Sequence, residues 1–201
     1  MKAGSFFAVA LVIGFGYLIA TPPDRVPDET GHFWRSCAIA RGDFSGGGDR
    51  RQPHATSLSV GLKTFVWVMY QTGEGDKFKA GQFRTAWTIP LEDVKQVSAV
   101  VYPAHYTIAP YLAQSLAGLF ARLTGLRPFL TFYLGRIANL ISSLLLVSLA
   151  IRIAPRHGLM FAAAALLPMS MYEFASWSAD APTIGWAFLL TAMLLDPAPP
   201  G

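Results

Sequence analysis

The sequence predicts an all-α, polytopic membrane protein with about four transmembrane helices, amphipathic juxtamembrane helices and a mixed extracytoplasmic loop. Three observations carry that expectation. Of the 201 residues 53% are hydrophobic, and the mean hydropathy is +0.39. Only 14% are charged, where a soluble domain carries about a quarter. The charges are also uneven: most lie between Asp24 and Lys95, and long windows elsewhere hold none. Spans joined to a polar loop would give that distribution.

The net charge of +4 is modest. Basic residues at the cytoplasmic edges of spans account for it without nucleic acid as a partner. Cys37 is the single cysteine, so no internal disulfide can form.

The first apolar run, Phe6 to Ala20, follows Lys2, and residues 1–20 read as a first transmembrane helix with a cytoplasmic N-terminus. A cleaved signal peptide has a similar outline, but Leu18 occupies a position where cleavage wants a small residue. Residues 21–128 read as an extracytoplasmic loop. Within it a helix is expected over about 27–41: Pro27 suits a first turn, Asp28 and Glu29 favour the positive end of the helix dipole, and Gly42 stops it. Thr30, Phe33, Trp34, Cys37 and Ala38 fall on one face, and Asp28, Glu29, His32, Arg35 and Ile39 tend to the other. Such a helix can lie on the membrane with Phe33 and Trp34 in the acyl boundary. Ser45 to Arg51 reads as an exposed loop. Ser57 to Tyr70 is rich in Val, Thr and aromatics, and is expected as a strand paired with Gln82 to Leu91.

Residues 129–201 read as a membrane bundle with spans at about 129–153, 158–177 and 182–195. The last is short against the roughly 20 residues a crossing needs. Tyr106 to Leu123 either spans or lies in the interface. If it lies in the interface, the loop Arg152–His157 becomes cytoplasmic, as positive charge prefers. Asp28, Glu29 and Asp180 then share the outer side.

Asp28, Glu29, His32 and Arg35 form the densest polar cluster. Helical spacing offers a carboxylate, an imidazole and a guanidinium together. A carboxylate near His can act as a general base or hold a divalent cation, and Arg can bind phosphate. The alternative is that the acids favour a helix start and the bases solvate it. Asp180 reads as a loop or capping residue before Pro182, or as an outer acidic site. Arg136 and Glu173 lie within apolar runs, where ionisable groups pair or face a cavity; they could pair with each other, or Arg136 could meet a lipid phosphate. No phosphate loop, metal-ligand spacing or nucleophile elbow is visible.

VPDETGHFWRSCAIARGDF resembles the opening motif of a bacterial family of predicted multi-pass membrane proteins, domain of unknown function 2142 (DUF2142). YPAHYTIAPYLAQSLAGLFARLTG, LGRIANLISSLLLVSLAIRIAP and LLPMSMYEFASWSADAP resemble its later segments. The family is in turn similar to integral-membrane glycosyltransferases of the C-type fold (GT-C). That resemblance implies a bacterial plasma-membrane location, a polyprenyl-phosphate-linked sugar donor and an acceptor in the cell-envelope glycan or lipid. It carries Asp28 and Glu29 to a first acidic site and Asp180 to a second. Taken with the residue chemistry above, Asp28, Glu29 and Asp180 are the expected catalytic residues and would hold any divalent cation (Mg or Mn), and His32, Arg35, Arg136 and Glu173 are the expected substrate contacts. Such enzymes are longer, so the chain looks like an N-terminal portion. The rival expectation is a non-catalytic membrane protein, part of a transporter or a packing subunit.

Overall fold

The computed structural model describes residues 2–44, 55–70, 80–91, 96–100 and 106–196. The chain forms two compact units, Met1–Thr21 with Arg136–Gly201, and Pro22–Gly135. Both are mostly helical. The expected loop at Ser45 to Arg51 lies outside the described residues.

The first unit holds α1 (Ala3–Ala20), the larger part of α6 (Pro128–Ile153), α7 (Gly158–Ala165), α8 (Pro168–Phe174) and α9 (Asp180–Leu195). Helices α1 and α6 are long and apolar enough to cross a membrane, with 18 and 26 residues. Helix α1 is apolar around its whole circumference yet buries one edge, Phe6, Ala10, Gly14 and Leu18. Gly14 is there because a Cβ would come within 2.5 Å of Leu140 Cδ1. Gly185 likewise leaves room for Leu146. Small residues at contact points are how helices approach closely where apolar surface alone gives little drive. Phe161, Met171, Phe174 and the α6 row Leu140, Leu144, Val147 and Ile151 complete this core.

The expected single span at Gly158 to Trp177 is corrected: it is two short helices. Pro168 has no N–H to continue α7, and its ring forces the preceding residue out of the helical region. Leu167 is accordingly extended, at φ −57° and ψ 141°, and Pro168 opens α8 instead. Helix α9 has 16 residues and starts two residues earlier than expected.

The second unit contains α2 (Glu29–Ala40), β1 (Ala55–Ser59), α3 (Val60–Tyr70), α4 (Ala80–Thr88), β2 (Gln96–Val100), α5 (Leu112–Leu123) and the first turns of α6. Strands β1 and β2 pair antiparallel from Ala55 opposite Val100 to Ser59 opposite Gln96. The expected strand over Ser57 to Tyr70 is therefore corrected: only its first residues are extended, their partner is β2, and Gln82 to Thr88 is helical. Gly61, Leu62, Phe65, Val66 and Met69 are buried. That is helical spacing, and it outweighs the β-propensity of Val and Thr. At Gly61 a Cβ would overlap the carbonyl oxygens of Pro90 and Leu91, so the chain returning from α4 passes directly over a bare backbone.

Phe33 does not face lipid as expected. It is fully buried, 5.1 Å from Phe132 and 6.4 Å from Phe65 between ring centroids. Arg35, expected in water, is also buried. Helix α2 runs through protein on most of its circumference because α3 and α5 cover it.

Helix α5 has its polarity turned inside out. Gln114 and Ser115 are buried, and Gln114 Oε1 accepts from Ser36 Oγ of α2 at 3.0 Å. Gly118 lets Ala40 approach to 3.4 Å of where a Cβ would stand. Leu112, Leu116, Phe120 and Leu123 point outward, the last 76% exposed. A water-facing helix does the reverse. An outward apolar stripe with a polar inner face suits a lipid boundary.

Candidate functional site

The densest candidate cluster lies around the start of α2. The turn before that helix contains two non-glycine residues in the left-handed region, Asp24 at φ 61° and Asp28 at φ 57°. Aspartate tolerates this conformation better than most residues. It folds Asp24 back over the helix start. Asp24 N–H donates to Glu29 Oε2 at 3.0 Å, and Thr30 Oγ1 donates a short bond to Asp24 Oδ1.

The two neighbouring acids therefore differ. Glu29 is fully buried and holds the turn. Asp28 is exposed, and its side chain caps nothing. Its backbone carbonyl accepts from His32 N–H at 3.2 Å.

One turn on, His32 Nδ1 lies 2.7 Å from Tyr111 Oη. Its ring stacks on Tyr106 at 6.1 Å and tilts against Tyr111 at 5.8 Å. Tyr111 itself is buried. Neither tyrosine stands out beside His32 in the sequence: Tyr106 and Tyr111 lie 74 and 79 positions on (106 − 32 and 111 − 32), and only the Tyr-Pro segment hinted at them.

Arg35 reaches the other way. Its Nη atoms donate to the carbonyls of Asp43, Phe44 and Tyr106 at 3.3, 3.0 and 3.5 Å. Its Nε is buried without an acceptor among the described residues. The guanidinium thus ties the end of α2 to the segment entering α5. Cys37, on the same helix, is buried; desolvation pushes its thiol up to about 12, and the nearby Arg41 charge offsets this only in part. Such a thiol is a packing group and a poor nucleophile.

The remaining candidates belong to the first unit. Arg136 is fully buried, with Nη1 donating to Thr21 O at 2.6 Å and Leu18 O at 3.4 Å. Those are carbonyls at the end of α1, where a cation meets the negative pole of the helix. Asn139, three residues on, donates to Ser176 O at 2.8 Å and Ser178 O at 3.4 Å. This fixes the turn before α9, where Ser178 Oγ accepts from Asp180 N–H at 3.0 Å. Asp180 is exposed in the first turn of α9, and Glu173 is half-buried on α8.

Asp28, Glu29, His32 and Arg35 thus share one helix in the second unit, while Asp180, Arg136 and Glu173 lie in the first. Among the described residues no group of three or more His, Cys, Asp or Glu side chains could hold a metal ion. The expected carboxylate set for a divalent cation has Glu29 already engaged on Asp24 N–H.

A family model described as predicted membrane protein (DUF2142) matches residues 11–198. No curated protein and no solved structure matches the chain.

Proposed function

The chain belongs to the DUF2142 family of predicted membrane proteins, and we propose that it is a glycosyltransferase-like protein that works on the outer face of the bacterial plasma membrane. The observation that carries this reading is Asp28: an exposed carboxylate in a left-handed turn at the start of α2, held by the buried acid beside it. Strained, exposed polar residues gather where chemistry needs them.

In this reading Asp28 takes the proton of an acceptor hydroxyl. The acceptor oxygen bonds to the anomeric carbon as the bond from that carbon to the donor phosphate breaks, and the electron pair leaves on the polyprenyl phosphate. Glu29 and Thr30 fix the turn that aims Asp28. His32, held by Tyr111, orients the acceptor. Arg35, its Nη atoms held on the carbonyls of Asp43, Phe44 and Tyr106, supplies positive charge toward the departing phosphate from within the protein. Asp180 is the second acidic residue assigned to the outer side. A divalent cation, if the reaction uses one, would be drawn to Asp28 rather than to the engaged Glu29.

The topology belongs to the same reading. Helices α1 and α6 cross, α7 with α8 forms a broken crossing, and α9 a short one, with the N-terminus and the Arg152–His157 loop cytoplasmic. Helix α5 lies in the outer interface, supported by its outward Leu112, Leu116, Phe120 and Leu123.

The rival reading, a packing subunit without catalysis, draws on Arg136: a buried guanidinium that donates to the Thr21 and Leu18 carbonyls is what a scaffold contains. Transfer of radiolabelled sugar from a polyprenyl phosphate to envelope glycan, in membranes holding the chain, separates the two. Wild type should transfer, and Asp28→Asn should lose about 100-fold or more with unchanged membrane insertion. No transfer by wild type, or undiminished transfer by the variant, overturns the proposal.

A further inference from the structure

Helix α3 has two faces. Leu62, Phe65 and Met69 are buried in the second unit. Lys63, Trp67 and Tyr70 lie on the other side at positions i, i+4 and i+7, and Trp67 and Tyr70 are 59% and 73% exposed. Folding of the core does not need two large aromatics there.

Opposite them stand Asp24, Thr30 and Trp34, and these six side chains together with Val66 border an open groove of about 320 Å³. Among the described residues Trp34 Nε1–H has no hydrogen-bond acceptor, and a buried donor in that state is costly. Its indole is held at the groove by α2, the helix that carries Asp28.

We infer that this groove binds a sugar ring of a glycan. A pyranose has apolar C–H faces and a rim of hydroxyls that both donate and accept. The groove answers both: flat indole and phenol faces for the first, and for the second the Asp24 carboxylate and Thr30 hydroxyl, which bond each other, and the Lys63 ammonium, whose three N–H donors include one on Ser98 O at 3.0 Å. The charges of Asp24 and Lys63 oppose each other, so the rim selects neither a cation nor an anion. That argues against a quaternary ammonium, which wants aromatic faces and net negative charge. It also argues against a plain phosphate. The contrast with α5 separates it from lipid: α5 presents a convex stripe of Leu and Phe, whereas this surface is concave with Trp, Tyr, Asp and Lys. The purpose of the bound sugar, as part of the acceptor glycan, rests on the transferase reading above; the binding itself does not.

The test uses the 201-residue chain in phospholipid nanodiscs. Maltotetraose, mannotetraose and chitotetraose are titrated with saturation-transfer NMR as the readout. At least one should bind. Trp67→Ala should weaken it roughly three- to tenfold, the worth of one aromatic stacking contact. Trp67→Phe should restore most of the affinity, and Leu116→Ala on α5 should leave it unchanged. Circular dichroism of the Trp67→Phe protein checks the fold. The inference is overturned if none of the three binds wild type, or if Trp67→Ala binds equally well. It is equally overturned if tetramethylammonium binds in their place, or if lipids brominated in their acyl chains quench Trp67. Sugar binding without transfer in the radiolabel assay would keep the groove and remove the transferase. Transfer without tetrasaccharide binding would remove the groove alone.

Discussion

Asp28 is in a conformation that a glycine would occupy more easily, and its carboxylate stabilises nothing around it. Asp28→Gly should therefore change stability by less than about 1 kcal/mol, relief of the left-handed backbone offsetting the more flexible unfolded chain. Its transfer activity should nevertheless fall about 100-fold. Thermal unfolding in detergent beside the transfer assay checks both halves. Glu29→Ala should do the opposite: it strips a partner from Asp24 N–H and costs about 1–3 kcal/mol. The pair Asp28-Glu29 was legible in the sequence as a candidate site. Which acid is outward was not, because that depends on Asp24 turning back over the helix, and nothing in a linear string marks a left-handed aspartate. Cys37 yields a pH prediction. Its thiol ionises near 9.0 when unfolded and near 12 when folded. The unfolded state thus releases its proton first, so stability is unaffected below about 9 and declines as pH rises from 9 toward 12. Denaturation at pH 8 and pH 10.5 should show that loss in wild type, and Cys37→Ala should remove this thiol's contribution to it.

Helices α3 and α5 show at the scale of an element what periodicity can and cannot decide. The apolar positions of α3 carry a helical period that was masked by residues favouring strands. Its partner surface, the Pro90 and Leu91 carbonyls over Gly61, is built from residues 29 and 30 positions away, beyond any local pattern. Gly61→Ala should destabilise the second unit strongly, since the new methyl meets backbone and not a side chain that can move. For α5 the amphipathic pattern was plain, but its sense was not: periodicity gives a stripe and is silent on whether the stripe faces protein or lipid. Nitroxides at positions 116 and 120 should report lipid through oxygen accessibility, and one at 115 should report a buried protein site. Equal water exposure at 116 and 115 would contradict the lipid-facing assignment. At the α7–α8 break the breaker itself was in view. Pro168→Ala restores the missing N–H and should raise helix content measured by circular dichroism.

For the molecule as a whole, membrane character and the family were legible from charge scarcity and from motifs spread over most of the chain. The division into units was not, since it depends on which long-range pairs form. Sidedness follows charge. In a chain whose buried Cys37 gives a low labelling background, a cysteine replacing His54 should react with an impermeant maleimide in intact cells. One replacing His157 should not. The reverse pattern would invert the topology. The contact between Ser36 and Gln114 has a further meaning in time. The two residues are 78 positions apart. At about 5–20 residues per second, the ribosome needs roughly 4–16 s to deliver the second after the first. Through that interval α2 exists without the helix that covers it, with Ser36 lacking this acceptor and Phe33 awaiting Phe132. For those seconds the groups that the finished fold buries, Ser36 and Phe33 among them, lack the partners that later cover them.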